Sequence, residues 1–75
     1  MSKAEKRERR IRENTKNVSL EDFEALITRY GEIRGNGSHL KAHIGGHVYP
    51  YKRENPIKEF YVEGILKIID GLKEG

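Results

Sequence analysis

The stretch HLKAHIGGHVYPY, residues 39–51, decides the fold of this chain. Its first half alternates polar and apolar side chains, so every second residue of Leu40–Ile44 falls on one face of an extended strand. Gly45-Gly46 is a strong signal for a two-residue hairpin turn. The chain then returns as a second strand, in which Pro50 marks an edge because it cannot donate a ladder hydrogen bond. We therefore predict a β-hairpin with one buried face.

A helix is predicted upstream of this hairpin. Ser19 is a typical helix N-cap, and the apolar residues after it recur at i, i+3, i+4 and i+7, the spacing of a single helix face. These apolar residues are Phe23, Leu26, Ile27 and Tyr30. Gly31 follows the last of them, which predicts that a left-handed glycine ends the helix.

Three further elements complete the predicted fold. A short strand is predicted at Glu32–Arg34, a turn at Gly35–Gly37, and a second amphipathic helix from about Glu59 to Leu72. The order is then helix, three antiparallel strands, helix. We predict an α+β fold of the form α-β-β-β-α, with both helices packed on one face of the sheet. The other face would be open to solvent or to a ligand.

The 75 residues carry a net charge of +3, which is unevenly distributed. Residues 1–17 hold seven basic and three acidic side chains, whereas the rest of the chain has a net charge of −1. We predict a charged N-terminal arm at residues 1–14, followed by one domain at residues 15–75. Such an arm can contact phosphates non-specifically. The alternative is a solvated helical or frayed extension, supported by i,i+4 pairs of opposite charge.

The composition argues against several classes of protein. Cysteine is absent, which excludes a disulfide framework and thiolate metal sites. No apolar run approaches the ~20 residues that span a bilayer. The charged N-terminus also lacks the apolar stretch of a secretory signal. We expect a cytoplasmic protein with no membrane contact.

The strand alternation places His39, Lys41 and His43 together on the predicted open face. Imidazole gives and takes protons near neutral pH, and a neighbouring lysine can stabilise a phosphate or a developing oxyanion. These groups suit RNA cleavage by the ribose 2′-hydroxyl, a reaction that requires no metal and no cofactor. The alternative is that His39 is a polar residue at the end of a turn. Ser38 is expected to bond the turn backbone.

The three histidines form a second pattern, which bears on metal binding. His39, His43 and His47 recur at every fourth position, but Gly45-Gly46 argues against a helix, and a tight hairpin places His47 on the face opposite His43. Structural zinc usually takes four ligands, and no fourth candidate is evident, so we predict no metal site.

Three tyrosines, Tyr49, Tyr51 and Tyr61, are candidates for stacking on unpaired bases. For Tyr61 a place in the core is the favoured interpretation.

The run Gly37-Ser38-His39, which follows a predicted helix and strand, resembles the motif of HicA-type toxins. These are small mRNA interferases of type II toxin–antitoxin systems. The resemblance extends over residues 14–72. Residues 17–31 resemble the first helix of the family, Val48-Tyr49-Pro50 its last strand, and residues 61–69 its second helix.

The resemblance implies a fold similar to that of double-stranded-RNA-binding domains, in agreement with the predicted element order. It implies an RNA endonuclease with His39 as its catalytic histidine, and a HicB-type antitoxin as the protein partner that covers the active site. The residues expected to contact RNA are Gly37, Ser38, Lys41, His43 and Lys52. The alternative function is a non-catalytic RNA-binding or protein-interaction module of the same fold.

Overall fold

Three helices and one three-stranded sheet form the fold, which a computed structural model describes for residues 2–74. The helices are α1 (Lys3–Glu13), α2 (Leu20–Tyr30) and α3 (Glu59–Glu74), and the strands are β1 (Glu32–Asn36), β2 (His39–Ile44) and β3 (His47–Lys52). The predicted α+β class is confirmed, as is the order of a helix, three strands and a helix. The third helix, α1, lies in the segment predicted as a charged arm.

The sheet is antiparallel in the order β1-β2-β3, so β2 is the central strand. Leu40, Ala42 and Ile44 of β2 are buried, whereas the residues between them are exposed or half-buried. α2 packs over β1 and β2, and α3 packs over β3. The helices therefore cover one face of the sheet, and the opposite face is open, as the alternation predicted.

The start of α2 is fixed by two local contacts. The Ser19 hydroxyl oxygen accepts a hydrogen bond from the backbone N–H of Asp22 at 3.1 Å, which confirms the predicted N-cap. Just before the cap, the Val18 carbonyl accepts a hydrogen bond from the backbone N–H of Ile57 at 2.9 Å. The loop between β3 and α3 is thereby tied to the start of α2.

Gly31 ends α2, but the predicted left-handed conformation is wrong. Its φ is −165°, which is extended backbone that any residue adopts. Glycine is required there because β2 passes very close. A Cβ on Gly31 would lie 2.9 Å from the carbonyl carbon of His43, closer still to its oxygen, and 3.0 Å from the Cα of Ile44.

α1 is part of the packed structure. Ser2 caps it by accepting a hydrogen bond from the backbone N–H of Glu5 at 3.2 Å. Ile11 belongs to the hydrophobic core, with 2% of its surface exposed. The segment is thus helical, which the second of the two predictions for residues 1–14 allowed. It is not a solvated or frayed extension, because one face of α1 is buried.

Glu8 joins α1 to both other helices through charged hydrogen bonds. Its carboxylate accepts hydrogen bonds from Tyr30 Oη at 2.5 Å, Arg12 Nε at 3.1 Å and Lys73 Nζ at 3.2 Å. Burial by itself raises the pKa of Glu8, but these bonds together lower it by more, and the net pKa lies below its ordinary value. Arg12 also reaches Asp70 at 2.7 Å, which fixes α1 against α3.

Candidate nucleic-acid interface

The open face of the sheet carries three cross-strand rows of side chains, set by the register of the strands. One row places His39 of β2 between Asn36 of β1 and Lys52 of β3. Side chains directly opposite each other in such a ladder lie about 5 Å apart at Cβ. The Lys52 ammonium is therefore within reach of a phosphate that contacts the His39 imidazole.

A two-residue turn determines where His39 lies. Asn36 pairs with His39, so the turn consists of Gly37 and Ser38, and the predicted turn at Gly35–Gly37 is displaced along the chain. Gly37 has φ +68° and Ser38 does not have a positive φ, the pattern of a turn with glycine at its first central position. The Ser38 carbonyl accepts a hydrogen bond from the backbone N–H of Arg53 at 2.8 Å, so the turn is also held by the chain after β3.

Lys41 extends the site along β2. It lies two residues from His39 on the same face, about 7 Å along the strand, and pairs with Arg34 of β1 and Pro50 of β3. Arg34 is not among the residues singled out from the sequence. The sequence could have identified Arg34, because a two-residue turn at Gly37 and Ser38 places Arg34 opposite Lys41 in the sheet.

A shallow cavity of about 290 Å³ opens at this end of the sheet. His39, Lys41, Pro50 and Lys52 line it from the open face. Leu40, Tyr51 and Tyr61, whose side chains lie on the helix-covered side of the sheet, complete the lining. The arrangement combines an exposed imidazole, two ammonium groups and an aromatic ring. Such a site can hold a phosphodiester by charge and an adjacent base by contact with the ring.

His43 lies apart from this cavity. It is four residues from His39 along β2, about 13 Å at the rise of a β-strand, and it pairs with Glu32 and Val48 near the opposite end of the sheet. The structure therefore separates His43 from His39, Lys41 and Lys52. The two imidazoles cannot act on the same phosphate in this arrangement.

His47 lies on the opposite side of the sheet from His43. It pairs with Ile44, whose side chain is on the helix-covered face, as the hairpin argument predicted. Within residues 2–74 no group of three or more His, Cys, Asp or Glu side chains is placed to hold a metal ion.

The three tyrosines have different environments, and Tyr51 rather than Tyr61 is the buried one. The Tyr51 ring packs edge-on against Phe23 at 5.0 Å, and its hydroxyl donates a hydrogen bond to Glu24 at 2.6 Å. Burial, and then the bond to Glu24, raises the pKa of Tyr51. Tyr61 is half-buried, so the prediction that it is the core tyrosine is wrong.

The cations of α1 differ in their partners, and the exposed Arg9 and Arg10 make long ion pairs with Glu13 and Asp22 at 3.9 and 3.8 Å. Arg7 and Arg12 are bonded to the carboxylates of Asp22 and Asp70, at 3.2 and 2.7 Å, and hold the helix in place. Lys3 and Lys6, by contrast, are exposed. The positive charge of this segment is thus partly neutralised within the molecule.

No helix within residues 2–74 has the length and apolar character needed to cross a membrane. Comparison of the chain with models of protein families, with curated proteins and with solved structures found no match.

Proposed function

We propose that this protein is an RNA endonuclease of the HicA-like mRNA interferase type, with its active site at the His39 end of the open sheet face. The observation that carries the proposal is the cavity shared by His39, Lys41 and Lys52, which brings an exposed imidazole and two ammonium groups together. The Gly37-Ser38-His39 motif supports it, because the turn presents the imidazole at the first residue of the strand.

The proposed reaction is cleavage by the neighbouring ribose hydroxyl. The His39 imidazole accepts the proton of the 2′-hydroxyl, the 2′-oxygen forms a bond to phosphorus, and the bond from phosphorus to the 5′-oxygen breaks. The imidazolium then returns a proton to the departing 5′-oxygen. The products are a 2′,3′-cyclic phosphate and a 5′-hydroxyl. Lys41 and Lys52 stabilise the negative charge that builds on the phosphate oxygens.

Two features of the site favour this chemistry over a purely structural role for His39. The residue is exposed and belongs to the open face, so its imidazole contributes no core packing. Its cross-strand neighbours are Asn36 and Lys52, so a positive charge lies next to the imidazole. The Glu54 carboxylate, 3.9 Å from the Lys52 ammonium, offsets part of this charge, and an anionic ligand would offset the rest.

A HicB-type antitoxin is the proposed protein partner, bound over the same face. Lys41 and Lys52 would oppose an acidic surface of the partner, whereas Arg34 is already paired with Glu32. The partner would then exclude RNA by occupying the cavity. A partner encoded by a neighbouring gene should stop cleavage when added in equimolar amount, and Lys41→Glu should weaken the complex. A complex that forms equally well with Lys41→Glu, and in which cleavage continues, would contradict this assignment.

The test of the catalytic role uses the whole chain and RNA in the presence of EDTA. His39→Ala is compared with His47→Ala, since both remove an exposed imidazole but on opposite faces of the sheet. We expect His47→Ala to cleave like the parent protein and His39→Ala to cleave about 10²- to 10⁴-fold more slowly. A 2′-deoxy nucleotide at the cleaved position should block the reaction in all three proteins.

Two results would decide against catalysis by His39. Cleavage that persists in His39→Ala would show that another group performs the reaction. Salt-sensitive binding without strand breaks at any pH would identify the alternative function, a non-catalytic RNA-binding module.

A further inference from the structure

Two aromatic side chains follow one another at the start of α3, on the helix-covered side of the sheet, and the second of them, Tyr61, reaches the candidate site. Phe60 has 56% of its surface exposed, and Tyr61 is half-buried and lines the His39 cavity. Their rings are 4.3 Å apart at the centroids, with an interplanar angle of 43°. The core-facing side of α3 is formed by other residues, including Val62 and Ile65. Hydrophobic packing therefore does not explain the exposed position of Phe60.

The pair is held in a fixed position by the tyrosines of β3. Tyr49 and Tyr51 contact the Tyr61 ring edge-on, at centroid distances of 6.3 and 6.4 Å. The Tyr49 hydroxyl also donates a hydrogen bond to the backbone carbonyl of Phe60 at 3.3 Å. Close packing of the Tyr49 ring over Gly64 fixes this contact further, because a Cβ there would collide with the ring.

We infer that Phe60 and Tyr61 form a stacking shelf for an unpaired base of the RNA whose phosphate lies at His39. The inference rests on the proposed function and adds its substrate class, RNA that is single-stranded at the nucleotide next to the cleaved bond. Aromatic side chains bind bases by stacking on their faces, which are accessible only when the base has left its helix. A duplex would present its phosphates to Lys41 and Lys52 but no base face to the shelf.

The charges around the shelf favour RNA over a hydrophobic protein surface as its ligand. Tyr61 of the shelf lines the same cavity as Lys41 and Lys52. The other large apolar residues exposed within residues 2–74, Val48 and Leu72, lie near the Gly45-Gly46 turn, at the opposite end of β2 from His39. They do not extend the shelf into one apolar patch of the kind that a protein partner buries.

The test measures RNA binding separately from cleavage by placing every variant in the His39→Ala background. The probe is a short single-stranded RNA that carries one 2-aminopurine, whose fluorescence is quenched by stacking. Phe60→Leu removes the aromatic face but keeps an apolar side chain, Phe60→Trp keeps the aromatic face, and Leu72→Ala removes an exposed apolar group at the other end of the sheet. Circular dichroism verifies that each variant is folded.

We expect Phe60→Leu to bind the single-stranded probe about 5- to 100-fold more weakly and to lose the quenching. Phe60→Trp and Leu72→Ala should bind as the parent does, and a duplex of the same sequence should bind equally to Phe60→Leu and to the parent. Unchanged affinity and quenching in Phe60→Leu would overturn the shelf. So would the loss of a protein partner in Phe60→Leu while RNA binding stays the same.

The outcomes separate the shelf from the proposed function. RNA that is bound and stacked but never cleaved by the protein with His39 intact refutes the endonuclease and leaves the shelf standing. Cleavage with no effect of Phe60→Leu on binding refutes the shelf alone. No binding of RNA by any form of the protein refutes both.

Discussion

Replacement of Gly31 by alanine tests the closest backbone approach in the fold, where the end of α2 meets β2. The new Cβ would overlap the carbonyl oxygen of His43 and lie 2.9 Å from its carbonyl carbon, whereas ordinary contacts begin at 3.4 Å. One of the two backbones must therefore move by more than the 0.5 Å that the carbon alone requires. The obstacle is backbone of the central strand, which cannot rotate away as a long side chain can. We therefore expect a loss at or above the upper end of the usual overpacking range, about 3 kcal/mol.

That loss is large against the stability of a domain of this size, about 4–11 kcal/mol for 75 residues. The assay is urea unfolding followed by circular dichroism, with thermal unfolding as a second measurement, in which each kcal/mol lowers Tm by about 4–8 °C. The matched control is Gly71→Ala. Its Cβ would meet no atom within 4 Å in α3, so the same chemical change should raise stability there by about 0.5–1 kcal/mol. A Gly31→Ala protein within 0.5 kcal/mol of the parent would refute this reasoning.

Two further predictions concern α1. Ile11→Ala should lower the free energy of unfolding by about 2–4 kcal/mol, because Ile11 is buried in the core. The control is Arg9→Ala, an exposed position, which should change the free energy of unfolding by less than about 0.5 kcal/mol. If chemical denaturation shows equal, small effects for the two variants, α1 unfolds independently of the rest of the fold. Glu8 has a lowered pKa in the folded state, so its contribution to stability is present above about pH 4.5 and is lost as the pH falls through the folded-state pKa. Glu8→Gln should therefore lose less stability than the parent between pH 6 and pH 3, and identical losses in the two proteins would contradict the role of this carboxylate.

Local sequence patterns were sufficient to predict most of the elements. The Ser19 cap, the apolar face of α2, the alternation in β2 and the Gly45-Gly46 turn all depend on residues within a few positions of one another. For such short-range features, the conformation that the backbone prefers also buries the apolar side chains. The open face carrying His39 and Lys41 followed from the same alternation.

The composition of the candidate site was less predictable because it depends on the register of the sheet. The turn was predicted at Gly35–Gly37 but lies at Gly37 and Ser38, so the prediction left Arg34 without its partner Lys41. His43 was grouped with His39 because both lie on the same face, but separation along the strand places them at opposite ends. The spacing of apolar residues along a helix or a strand does not show whether Tyr51 or Tyr61 is the more buried. The packing of α3 on β3 determines which of the two rings is covered.

The sequence by itself determined the β-hairpin, the capped helix before it, the amphipathic helix after it, and the face of β2 on which His39 lies. These features result from residue periods of two or 3.6 and from glycines at the hairpin turns. Only the tertiary structure decided that α1 docks, since its single core residue and the buried Glu8 act through partners far away in the chain. The same holds for Gly31. Its backbone conformation is one that any residue adopts, and glycine is needed only because β2 passes too close for a Cβ. Contacts between segments distant in sequence leave little local pattern, and they are the contacts that gather His39, Lys41, Lys52 and Tyr61 around one cavity.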